Sequence, residues 1–384
     1  MRGFTSRSKR WVGLAAVAGA GLLLAACSAE NNGQNSLRPK GPAAQKIDNL
    51  FTPIFFISVV VGVLVLGAVV VFAIRFRYRA GKNENPKQIH GSTPLEIGWT
   101  IVPALILAVI AVPTIITVFD LHKEPTGDVL NVTVVGKQWW WEFKYPKEKV
   151  VTADELHVPT GRMIKVNLRA CDVSLGTGAA ACNVIHSFWV PELNGKTDVV
   201  PGRNNFTTIE ADKPGTYLGQ CAEYCGLSHA NMRFRVIAKE PSEFDRWVGE
   251  QQQGPAVPLQ VGTGADTKPA GPAQDLISTK FQCTNCHSLS DSKVSSYGPN
   301  LTHLASRTTF ASGYYELTRD KLVEWVHNAP GLIPMQSKAC REAGEPAAGK
   351  CVGMPSFSRD TPAGQPTMTQ QEAGQIADYL LQLK

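Results

Sequence analysis

Between Cys221 and Met232 the chain reads Cys-Ala-Glu-Tyr-Cys-Gly-Leu-Ser-His-Ala-Asn-Met, so two thiols (Cys221, Cys225), an imidazole (His229) and a thioether (Met232) crowd into one short stretch. Thiolate and thioether sulfur select copper, and imidazole suits it as well, whereas hard cations call for carboxylates and carbonyls. A second imidazole has to arrive from elsewhere, and His186 in His-Ser-Phe-Trp-Val-Pro is the best candidate. A cysteine pair closed as a disulfide, or a tetrahedral zinc site, are the competing readings of this spacing. Farther on, Cys283-Thr-Asn-Cys286-His287 is the C-x-x-C-H signature of covalent haem attachment, in which both thiols bond to the haem and the histidine becomes its proximal ligand. The sixth ligand should be a methionine, because a thioether raises the reduction potential towards that of an electron carrier. Met354 in Gly-Met-Pro-Ser-Phe is the favoured candidate and Met335 in Ile-Pro-Met-Gln the alternative. His303 in Tyr-Gly-Pro-Asn-Leu-Thr-His reads as structural.

The nine cysteines divide into Cys27 and four local pairs. Two pairs are the metal and haem motifs; Cys171 with Cys182, and Cys340 with Cys351, each close a short loop and read as disulfides of an oxidising compartment. Cys27 ends Leu24-Ala25-Ala26-Cys27 after a basic start (Arg2, Arg7, Lys9, Arg10) and an apolar run from Trp11 to Leu24. That is a lipoprotein-type signal over residues 1–26, with cleavage before Cys27 and acylation of its thiol.

Elements that could position these groups follow in order. After an extracytoplasmic tail over 27–48, the uncharged stretches Leu50–Ala73 and Ile97–Phe119 are each long enough to cross about 30 Å of hydrocarbon, giving a two-helix hairpin within 49–122. The connecting loop carries Arg75, Arg77, Arg79, Lys82 and Lys87 against Glu84, which places it in the cytoplasm and both outer ends of the hairpin outside. Pro103 and Pro113 inside the second span hint at partner membrane subunits. From 123 to 245 the pattern is that of short strands: Ile164, Val166 and Leu168 alternate with polar neighbours, and Pro159-Thr-Gly161, Asn194-Gly195 and Pro201-Gly202 mark turns. An all-β sandwich or barrel is the natural reading. A polar stretch over 246–273, rich in Gln, Gly, Pro and Ala, suits a flexible linker. Apolar residues return at helical spacing in Leu322, Val323, Trp325 and Val326 and in Ile376, Tyr379 and Leu380, so 274–384 is expected to be a small helical domain.

A chain of 384 residues that is 43% hydrophobic is long enough for several packed units. Its net charge of +6 is modest and the basic residues are scattered, which argues against a nucleic-acid partner.

The span from about Asn49 to Val236 resembles cytochrome c oxidase subunit II, with a cytochrome c domain fused behind it as in caa3-type haem-copper oxidases. The resemblance implies a two-helix transmembrane hairpin, a cupredoxin-like copper domain and an all-α C-terminal cytochrome c domain. It implies that Cys221 and Cys225 bridge two coppers, that His186 and His229 each cap one, and that Met232 and the carbonyl of Glu223 are weak outer ligands. The Glu223 side chain would reach a magnesium ion shared with subunit I. In Gln138-Trp-Trp-Trp-Glu-Phe143, Trp139 matches the tryptophan through which electrons enter. In Leu95-Glu-Ile-Gly-Trp-Thr100, Glu96 matches a glutamate at the mouth of a proton path into subunit I.

The implied function is that of a relay in a bacterial plasma membrane, with its copper and cytochrome domains on the extracytoplasmic side. Electrons would pass from an upstream cytochrome c or quinol-cytochrome c reductase to haem c, then to the copper pair, then to the oxygen-reducing site of subunit I, coupled to proton translocation, with subunit III as a further partner. No oxygen site is expected in this chain. A flexible tether would make donation intramolecular, with effective concentrations that reach millimolar. Nitrous oxide reductase shares such a copper motif but has a large catalytic domain, quinol oxidase subunit II has the hairpin without the ligands, and a copper-delivery protein has no need of C-x-x-C-H.

Overall fold

The computed structural model describes residues 33–78, 81, 88, 90–170, 184–257, 272–289, 297–335, 353–358 and 366–384. Cys27, Cys171, Cys182, Cys340, Cys351 and most of the basic loop (Arg79, Lys82, Glu84, Lys87) lie outside the described residues.

Helices α1 (Pro42–Arg75) and α2 (Thr93–Leu121) contain the two expected spans, and both are longer than expected. At 1.5 Å per residue α1 is about 51 Å long, more than a bilayer core requires. Its first turns pack instead on the β domain: Lys40 N donates to Glu192 O at 2.8 Å and Ala44 N to Leu193 O at 3.1 Å. Lys46 near the start of α1 pairs with Asp120 near the end of α2 at 2.5 Å. Both outer ends of the hairpin therefore lie on the side of the β domain. The hydroxyls of Thr114 and Thr117 donate to the carbonyls of Ile110 and Pro113, which keeps these polar groups satisfied within an apolar helix.

The β domain consists of two five-stranded sheets. One has the order β3 (Val150–Ala153), β2 (Trp140–Tyr145), β1 (Val129–Lys137), β5 (Met163–Arg169), β8 (Asn205–Ile209). The other runs β4 (Glu155–Pro159), β10 (Arg233–Lys239), β9 (Gly215–Cys221), β6 (His186–Trp189), β7 (Thr197–Val199). The alternation read in β5 is realised, since Ile164, Val166 and Leu168 are fully buried between half-exposed neighbours. Trp141, Phe188 and Phe234 fill the space between the sheets, with Trp141 edge-on to Phe188 at 5.8 Å and Phe234 stacked on Phe188 at 4.6 Å. This is a cupredoxin-like sandwich, as expected.

The structure differs at the linker. Helix α3 (Pro241–Gln251) continues past residue 246 and buries Phe244, Trp247 and Gln251, with Trp247 stacked on the His157 ring at 4.3 Å. The buried positions fall at i, i+3 and i+7, a stripe that the polar composition and the glutamine at its end conceal.

The C-terminal unit has its own core, formed by Leu276, Ile277, Phe281, Leu322, Val326, Phe357, Ile376, Ala377, Tyr379 and Leu380. Helices α4 (Arg319–Leu332) and α5 (Gln370–Leu380) supply most of it. Thr369 and Glu372 form a reciprocal capping box at the start of α5. The unit is not purely helical, because β11 (Thr309–Phe310) and β12 (Tyr315–Glu316) form a short hairpin.

That hairpin touches the β domain, where the fully buried Asp154 and Glu155 receive it. Burial pushes the Asp154 carboxyl up to about 7, against the opposing pull of the Trp141 and Ser312 amides and of Arg307. For Glu155 burial acts the same way but is outweighed by hydrogen bonds from His157 and Thr308, and its pKa is held at about 2. The signs are opposite: stability from Asp154 is present below its unfolded value of 3.8 and lost as pH rises through about 7, while that from Glu155 is present above 4.5 and lost only as pH falls through about 2. Asp154→Asn is accordingly expected to flatten the decline in melting temperature of the full chain between about pH 5 and 8, read by calorimetry. An unchanged slope would contradict a neutral, buried Asp154.

Candidate metal centre

Three strand ends deliver the sulfur and imidazole groups. Cys221 is the last residue of β9, Met232 directly precedes β10, and Cys221 N donates to Met232 O at 2.9 Å, closing the neck of the loop between them. β6 pairs with β9 in the register Phe188 to Cys221, which lays His186 beside the same loop. Gly136 of β1 makes room for it, since a Cβ there would stand 2.9 Å from the His186 ring. Gly219 in turn lies against Phe234, where a Cβ would come within 2.3 Å of the ring.

The donor atoms converge. The sulfurs of Cys221 and Cys225 are 3.8 Å apart, far beyond the roughly 2.05 Å of a disulfide. His186 Nδ1 lies 3.8 Å from the Cys221 sulfur, His229 Nδ1 3.5 Å from that of Cys225, and Met232 Sδ 3.7 Å from Cys225. The Glu223 carbonyl is 3.2 Å from Cys221 Sγ. His186, Cys221, Cys225 and Met232 are buried, and His186 Nε2 finds no hydrogen-bond partner. The hydrogen bond from Cys225, together with that from His186, draws the Cys221 thiol down to about 3 despite burial; Cys225 is driven upward by its bond to Cys221 and by burial. The arrangement fits copper by donor softness and count, and the disulfide reading does not survive the sulfur separation.

The aromatic run divides its duties. Trp141 is core, whereas Trp139 Nε1 donates to the Cys225 carbonyl at 2.9 Å and Gln138 Nε2 to the same oxygen at 2.7 Å. Gln138 was not singled out by the sequence, and its only signal was adjacency to the tryptophans. Trp140 faces the other way, donating to Tyr297 O at 3.3 Å. A cavity of about 610 Å³, lined in part by Trp189, Gln220, Cys221 and His229, opens beside the loop. Glu223 is half-buried on that loop, and Glu96 is remote from it in the first turn of α2, where its carboxylate accepts from Ser92 N at 3.3 Å.

In the C-terminal unit Cys283 opens a helical turn and His287 N returns to its carbonyl at 2.9 Å. His287 Nδ1 contacts Pro299 O at 2.9 Å, which orients the ring and leaves Nε2 as the ligating nitrogen, an arrangement that fits an axial haem ligand. Burial lowers the His287 pKa, favouring the neutral ring that ligation requires, and raises Cys283 to about 11. Gly298 is sterically required, since a Cβ there would sit 2.7 Å from His287 Cε1. Met335 packs against Gly353, the neighbour of Met354 in the chain, since a Cβ on Gly353 would lie 2.7 Å from that of Met335. His303 is buried.

Residues 130–239 match the family described as cytochrome c oxidase subunit II, periplasmic domain, and residues 29–116 match its transmembrane domain. Cytochrome c oxidase subunit 2 of Alkalihalophilus pseudofirmus is 35% identical over 81% of this chain and 86% of its own length. The subunit of the same name from Bacillus sp. strain PS3 is 33% identical over 67% of this chain and 72% of its own. Among solved structures, the periplasmic domain of subunit II of cytochrome oxidase of Bradyrhizobium japonicum is 31% identical, covering 33% of this chain and 96% of that one with a TM-score of 0.29. With matches to both domain models and a relative aligned over nearly its whole length, the chain belongs to the cytochrome c oxidase subunit II family and is a membrane-bound part of a haem-copper oxidase.

Proposed function

We propose that this chain is the electron-relay subunit of a caa3-type oxidase, carrying a binuclear copper centre and one covalent haem c. The carrying observation is the gathering of Cys221, Cys225, His186, His229 and Met232 about a sulfur pair 3.8 Å apart. When bound, the coppers and the haem supply one-electron redox chemistry and no substrate site. The chain's own part would be to hold them: the Cys221 and Cys225 thiolates would be shared by both coppers, His186 and His229 would each hold one, and Met232 and the Glu223 carbonyl would be weak outer ligands. The Glu223 side chain would hold a magnesium ion shared with subunit I, Trp139 would admit electrons to the copper loop, and Glu96 would stand at a proton path into subunit I.

The C-terminal half of the reading rests on Cys283, Cys286 and His287 with Met354, or Met335, opposite. The alignment with the Alkalihalophilus relative is too long to fit within residues 1–245, so that relative shares part of this unit. Cys27 as a lipid anchor and disulfides Cys171 to Cys182 and Cys340 to Cys351 complete the extracytoplasmic design. Electrons then run from an upstream cytochrome c or reductase complex through the C-terminal unit and the copper domain to subunit I, with subunit III alongside, in a bacterial plasma membrane.

Metal analysis of the purified full chain is expected to give two coppers and one haem. One copper, or zinc alone, would refute the binuclear centre. Rapid mixing with the natural donor should show the haem reduced before the copper, and the reverse order would refute the direction of flow.

A further inference from the structure

The hairpin of the C-terminal unit meets the copper domain through contacts unlike those of a tether resting on a surface. Glu155 Oε1, fully buried at the start of β4, accepts from Thr308 N at 2.9 Å, Thr308 Oγ1 at 2.6 Å, Thr309 N at 2.9 Å and Thr309 Oγ1 at 3.0 Å. Next to it Asp154 Oδ1 accepts from Trp141 N at 2.9 Å and Oδ2 from Ser312 N at 3.2 Å, so one carboxyl group links the core strand of the copper domain to the hairpin tip. The Ser312 hydroxyl donates to Trp139 O at 2.5 Å. At the rim Arg235 pairs with Glu316 at 3.1 Å, Arg233 lies over the Tyr314 ring at 5.0 Å, and Trp140 bonds to Tyr297 O.

The hairpin is shaped for this contact. Ala311, Ser312 and Gly313 follow one another at φ 52°, 58° and 68°, and a Cβ on Gly313 would lie 3.7 Å from Phe234 Cα. Two successive L residues in the left-handed region persist only where their surroundings over-determine them, and here the surroundings are Asp154, Trp139 and Phe234. A carboxylate buried at a domain junction without such donors would oppose association, so the four bonds to one Glu155 oxygen make the junction specific to this hairpin.

We infer that Asp154 and Glu155 form a receptor for the 308–312 segment of the same chain, which seats the C-terminal unit in one fixed orientation over Trp139 and Trp140. The unit is then a docked partner, not a body diffusing on its tether, and the face bearing Trp139 is closed to a separate donor protein. Glu155 and Asp154 are positioning residues. The seat does not depend on which group Cys283, Cys286 and His287 hold, so it stands or falls separately from the proposed function.

Hydrogen exchange on the full chain in detergent tests this. The amides of Thr308, Thr309 and Ser312 should exchange slowly in the wild type and at least about tenfold faster in Glu155→Ala, while β1 amides of the copper core keep their protection. Thr308→Val/Thr309→Val removes the hydroxyl donors from the other side and should free the Ser312 amide to a similar degree. If Glu155→Ala also loosens β1, the double valine variant decides. Rapid exchange of the three amides in the wild type, or unchanged exchange of Ser312 in the valine variant with β1 intact, would overturn the seat.

Discussion

Cys225→Ser in the full chain is expected to abolish the paired-copper optical and EPR signature and to lower copper affinity by at least about 100-fold, while haem attachment is untouched. Cys225 is the hub of the centre, with Cys221, His229 and Met232 donor atoms all within 3.8 Å of its sulfur. A serine hydroxyl is hard and stays protonated, so it cannot replace a bridging thiolate. Changes merely behind the ligands cost 10–100-fold in metal affinity, and loss of a bridge should exceed that. Cys283 packs against a separate core and Cys286 lies exposed in the same unit, which is why the haem should survive. Copper content and spectra of the purified variant provide the check, and two coppers retained with an unaltered spectrum would remove Cys225 from the bridge.

Met354→Leu should lower the haem potential by on the order of 100 mV and alter its spectrum, with the copper signature unchanged. Met335→Leu should do neither. Although Met335 lies against Gly353, the residue before Met354, it is Met354 that belongs to an anchored segment: Asn328 and Ser356 form a β-bridge and Phe357 N donates to His327 O at 3.0 Å. It also packs against the C-terminal core. An axial ligand must be held in place, and this anchoring favours Met354. Redox titration of both variants decides, and the assignment reverses if Met335→Leu shows the fall instead.

Much of the site and of the membrane anchor is legible in residue order alone. Soft ligands clustered between Cys221 and Met232, a C-x-x-C-H motif and two uncharged apolar spans are local signals, each carried by neighbours along the chain, and residue type alone gives them chemical meaning. The alternation in β5 likewise fixed which face would be buried, because a strand has a side-chain period of two. His186 was legible only as a candidate, since the register of β6 on β9 brings it to Cys221 across 35 residues. Helix α3 was hidden by polar composition, as its stripe of Phe244, Trp247 and Gln251 has meaning only against His157 and Tyr145. The separate roles of Trp139, Trp140 and Trp141 were equally unreadable, because Trp139 falls in the turn before β2 while Trp140 and Trp141 point to opposite sides of the strand, and only the packed sandwich decides what each meets. Asp154 and Glu155 gave no sequence signal at all. Two adjacent acids ordinarily read as a solvated turn, and the tertiary structure alone buries them against a hairpin more than 150 residues away, where the hydrogen bonds of Thr308, Thr309 and Ser312 replace the water that each carboxylate loses.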